Sequence, residues 1–78
     1  MSAVEIARNH KTLQVVDNLG NEFTLYCNGG EVMVSLVEVP KAKGEEAEIG
    51  RTFLDLDTLE VVLMEALDFV RSKNPKLP

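Results

Sequence analysis

Two carboxylates one residue apart, Asp55 and Asp57, close an apolar run that begins at Phe53. Carboxylates placed so close together at the end of a strand could do nucleophilic or cation-assisted chemistry. The same residues also suit a plainer task. Asp57-Thr58-Leu59-Glu60 fits a capping box, with Asp57 accepting from the first helical turn and Glu60 reaching back. The expectation is therefore that Asp57 caps a helix.

The other reactive side chains stand alone. His10, the single histidine, lies in the polar stretch Asn9-His10-Lys11. Without a nucleophile or a fixed acid partner it makes neither a triad nor a metal site, and it is expected at the surface. Cys27 has no basic neighbour in sequence to activate it and is expected as a buried, inert thiol beside Phe23 and Leu25. Gly29-Gly30 precedes a strand, whereas a phosphate-cradling loop needs a helix directly after it. Glu45, Glu46 and Glu48 lack the spacing of a calcium-binding loop. No catalytic, cofactor-binding or metal site is expected.

The segment Phe53-Leu54-Asp55-Leu56-Asp57-Thr58-Leu59 resembles the nucleophile strand of haloacid-dehalogenase-type phosphatases. That resemblance implies Asp55 as the nucleophile that attacks phosphorus, Asp57 as the group that handles the proton, Mg²⁺ held between carboxylates, a parallel sheet, and further Lys and Asp residues later in the chain. It covers about seven residues, lacks the glycine usual after the second Asp, and leaves little chain downstream.

Composition narrows the classes further. The chain has 78 residues, 45% of them apolar and 27% charged, which is enough for one domain, 1–78, with a small core. Thirteen acidic against eight basic residues give a net charge of -5, the wrong sign for holding nucleic acid through its phosphates. A single cysteine permits no internal disulfide and points to a reducing compartment, the cytoplasm. Signal peptide and membrane span are both expected to be absent, because Val61 to Met64 is the longest unbroken apolar stretch.

The elements that would position these residues follow from periodicity. Residues 1–10 read as a loosely ordered lead-in, 12–56 as a β-meander and 58–73 as a helix. The first strand runs from Thr12 and stops at Asp17-Asn18-Leu19-Gly20-Asn21. The second, Glu22 to Cys27, ends at Asn28-Gly29, the pair favoured in a type I′ hairpin turn. The third, Glu31 to Val39, is apolar on both faces and is expected inside the sheet or under a partner. Pro40 ends it, a charged loop follows, and Ile49 to Leu56 is the fourth strand. In the helix, Leu59, Leu63, Ala66, Leu67 and Val70 form the stripe expected to face the core, and Asn74-Pro75 is the stop.

The fold class expected is α+β: a four-stranded antiparallel meander with one C-terminal amphipathic helix packed on the sheet. This order of elements resembles small single-strand-binding transcriptional coactivators, in which a curved meander is packed by a C-terminal helix and dimerises. Those proteins line the sheet with Lys, Arg and aromatic residues, whereas Glu22, Glu31, Glu38 and Asp55 stand on these strands. The expected function is a non-catalytic interaction module acting through an apolar sheet and helix face as a homodimer, with single-stranded nucleic-acid binding as the alternative. Met33, Val37 and Val39 on the third strand and Val61, Met64 and Phe69 on the helix are the expected contact residues, because one helix can cover only one sheet face.

Overall fold

Alternating apolar residues pair into five antiparallel strands, not four. The computed structural model describes residues 4–75. Its elements are β1 (Glu5–Arg8), β2 (Thr12–Val16), β3 (Glu22–Asn28), β4 (Glu31–Glu38), β5 (Glu48–Asp55) and α1 (Leu56–Lys73). The strands form one sheet in chain order, a simple meander. β1 corrects the loosely ordered lead-in, of which residues 1–3 lie outside the described range. Four residues are too few to show a period, but Asn9 sets up the turn that follows: its Oδ1 accepts from the backbone N of Lys11 (2.9 Å) and of Thr12 (2.8 Å). β4 pairs with both β3 and β5 and so lies inside the sheet, as its two apolar faces require.

The hairpin between β3 and β4 turns one residue later than expected. Asn28 pairs with Glu31, leaving Gly29-Gly30 as the two-residue loop. Gly29 has φ +68 while Gly30 and Asn28 have no positive φ. That is the pattern of a type II′ turn, which needs glycine at its first central position, rather than type I′.

The helix also starts earlier than expected. Its N-cap is Asp55, not Asp57, and the chain passes from β5 to α1 without a loop. The Asp55 carboxylate accepts from the Thr58 backbone N (3.2 Å) and the Thr58 hydroxyl (2.6 Å), and Leu56 N donates to the Gly30 carbonyl (3.1 Å). Asp57 falls in the first turn, where a negative charge suits the helix dipole. At the other end the helix stops at Asn74, before Pro75, with Arg71 and Lys73 in its last turn. No helix among the described residues is long and apolar enough to cross a membrane.

The register sorts side chains onto two faces. On the inner face, Ile6, Val15, Phe23, Leu36 and Gly50 stand opposite one another in a row across all five strands. A second inner row joins Leu25, Val34 and Thr52, and a third joins Cys27, Val32 and Leu54. The helix meets β4 and β5. Val32 and Leu59, 3% and 6% exposed, are the buried apolar residues, and every other residue of α1 is exposed. The helix packs on the sheet against β4 and β5, but of the stripe expected to face the core only Leu59 is buried, and Leu63, Ala66, Leu67 and Val70 are exposed.

Candidate interaction surface

The helix presents a broad apolar arc. At about 100° per residue, Phe69, Val62, Ala66, Leu59, Val70, Leu63, Leu56 and Leu67 occupy a sector roughly 160° wide, broken by Lys73. The Lys73 ammonium lies 5.5 Å from the Phe69 ring centroid, so its charge is carried at the margin of the arc and the Phe69 face is partly screened. Phe69 is 63% exposed and Leu67 50% exposed.

The inner sheet face carries a cleft. Between the first inner row and the ends of β4 and β5 lies an open cleft of about 600 Å³, floored by Val15, Phe23, Leu36 and Gly50. Leu36 is 52% exposed in it. Gly50 has no positive φ, and nothing lies within 4 Å of where its Cβ would be. Neither backbone conformation nor crowding calls for glycine there, and a missing side chain in a strand lets another chain approach closely. The rim is acidic on one side: Asp17, Glu38 and Glu48 line the cleft where it opens at the end of the sheet. Asn21 amide donation to Asp17 (3.0 Å), chiefly, holds the Asp17 carboxyl below its ordinary range and keeps that part of the rim charged.

The contact residues read from the sequence are divided between surfaces. Met33 and Val37 lie half-buried on the outer sheet face, Met33 in a row with Tyr26 and Phe53. Val39 is half-buried beyond β4, its backbone N bonded to Asn21 Oδ1 (3.0 Å). On the helix, Phe69 borders the apolar arc, but Val61 and Met64 stand on the far side from Leu59, among Asp57, Glu65 and Asp68. The cleft floor was missed. Its signal was the pairing of a strand glycine with an exposed leucine, which requires the register.

The reactive residues stay apart. Asp55 is engaged by Thr58, and that bond, above all, lowers its carboxyl below the ordinary range. Its strand is the edge of an antiparallel sheet, unlike the parallel sheet that the phosphatase resemblance implies. Cys27 is half-buried rather than buried, its Sγ 3.6 Å from the Gly29 carbonyl oxygen. His10 is exposed in the turn after β1. Among the described residues, no three His, Cys, Asp or Glu side chains gather as metal ligands.

The chain matches no protein-family model, no curated protein and no solved structure.

Proposed function

We propose that the protein is a non-catalytic interaction module that works as a homodimer through the apolar surfaces of α1 and the inner sheet face. The observation that supports this reading is the placement of α1: an 18-residue helix with a wide apolar arc has Leu59 as its one buried residue. A helix gains most of its stability from packing its apolar face, and among the described residues this one buries Leu59 alone of that face within its own chain. Sedimentation equilibrium at micromolar concentration tests it. Twice 8.6 kDa is the expected mass, and a single species at 8.6 kDa removes the reading.

A second reading has its own observation. On the outer sheet face Tyr26, Met33 and Phe53 stand in one row, Phe53 59% exposed, with Arg51 exposed on the same face. Exposed aromatic rings beside a cation form a platform on which unpaired bases stack. Glu22, Glu31 and Asp55 share that face and oppose phosphate. Retention on single-stranded DNA at low salt, lost steeply as salt rises and lost in Phe53→Ala, supports this reading; no retention at low salt removes it.

A further inference from the structure

We infer that the dimer forms by reciprocal exchange: each copy seats its α1 in the cleft floored by Val15, Phe23, Leu36 and Gly50 of the other. This rests on the homodimer reading and specifies its interface.

Area sets the need. A folded monomer of 8.6 kDa has an accessible surface of about 4,700 Å². This chain has 6613 Å², an excess of about 1,900 Å² over that expectation. Obligate dimers remove roughly 1,000–2,500 Å² from each partner, so one partner copy accounts for the excess. The shape agrees: the radius of gyration is 14.3 Å against about 11.5 Å for a compact chain of this length.

The chain's own helix does not reach the cleft. Asp55 ends β5 and caps α1 at once, and Leu56 is tied to Gly30, so the helix leaves from the end of the sheet at the β3–β4 turn. Gly50 lies five residues back along β5, about 17 Å away. A helix from elsewhere must fill that space, and a second copy supplies one of the right chemistry. Its apolar arc matches the apolar floor. Its last turn carries Arg71 and Lys73, opposite in sign to Asp17, Glu38 and Glu48 on the rim. Donor helix and acceptor cleft on one chain satisfy the rule for a two-fold interface, in which each surface is used once in each direction.

The test uses two variants and their mixture. Gly50→Trp fills the cleft and leaves the helix intact; Leu67→Lys spoils the helix arc and leaves the cleft intact. Each alone is expected to raise the dimer dissociation constant at least tenfold, with circular dichroism at high concentration unchanged. Mixed in equal amounts, the two are expected to associate at least tenfold more tightly than either alone, because the heterodimer regains one unspoiled helix in one open cleft. Unmodified protein sedimenting at 8.6 kDa overturns both the dimer and this interface. A dimer that Gly50→Trp leaves unaffected, or a mixture no tighter than its components, overturns the exchange while the dimer stands. If Gly50→Trp does not fold, Leu36→Lys charges the same floor from β4 and takes its place with the same outcomes.

Discussion

Asn21 ties the loop after β2 to the chain leaving β4: its side-chain Oδ1 accepts from the backbone N of Val39 at 3.0 Å, while its Nδ2 donates to Asp17 Oδ2 at 3.0 Å. Its own backbone N donates to Asp17 Oδ1 at 2.9 Å. One amide thereby fixes two segments that frame the acidic rim. Asn21→Ala removes the side-chain bonds and leaves the Val39 N–H without its acceptor, and a loss of about 1–2 kcal/mol is expected. Urea denaturation at fixed protein concentration measures it, and an unchanged midpoint would show that the tie carries no stability.

Gly29 and Gly30 separate by conformation. Only Gly29 has positive φ, so Gly29→Val forces a β-branched residue into the left-handed region, at an expected cost of about 1–3 kcal/mol. Gly30→Ala meets nothing within 4 Å and is expected to change stability by no more than about 0.5 kcal/mol. Equal losses from both would mean that the type II′ turn is misplaced.

These local features were the legible ones, because alternation and turn chemistry act over a few residues. The faces of β3 and β4, with Phe23, Leu25, Val32, Val34 and Leu36 on one side, follow from period two and agree with the register. Small displacements crept in wherever two residues met the same rule. Asn28-Gly29 and Gly29-Gly30 both suit a hairpin, and Asp55 and Asp57 both suit a cap; the cross-strand pairing of Asn28 with Glu31 and the Thr58 hydroxyl decided them. The direction of α1 was not legible. An amphipathic stripe states that a helix has a covered face, and is silent on whose sheet covers it. The cleft was hidden for the same reason, since Leu36 and Gly50 become neighbours only once β4 and β5 are paired.

Asp55 makes the start of the helix sensitive to acid. Bonds from Thr58 lower its folded-state carboxyl below the ordinary value of 3.8. For a depressed carboxyl, the stabilisation is complete above the unfolded-state value and disappears as pH falls through the folded-state value. Asp55→Asn still caps but does not ionise. Wild type is therefore expected to exceed Asp55→Asn in stability at neutral pH, with the gap closing as pH falls from about 5 to about 2. A gap that stays constant over that range would show that the charged form of Asp55 contributes nothing to the cap.

Stability itself should depend on protein concentration. Among the described residues Val32 and Leu59 are the buried apolar ones, a very small core, and folding of so small a domain is marginal even with a full one. If the partner helix completes the core, folding and association are one transition, and dilution favours the unfolded chains by mass action. Each tenfold rise in concentration then adds about 1.4 kcal/mol to the folded dimer. With a urea slope of about 2 kcal/mol/M for a dimer of two such chains, the midpoint is expected to rise by roughly 0.5–1 M per tenfold step. The same series on Leu67→Lys should start from a lower midpoint at every concentration, because a lysine in the apolar arc weakens the seat without touching the sheet. Circular dichroism across a hundredfold range of concentration reads both. A wild-type midpoint that does not move would mean that the sheet and helix hold together without a second copy, and would leave the exposed arc of α1 without a role in folding.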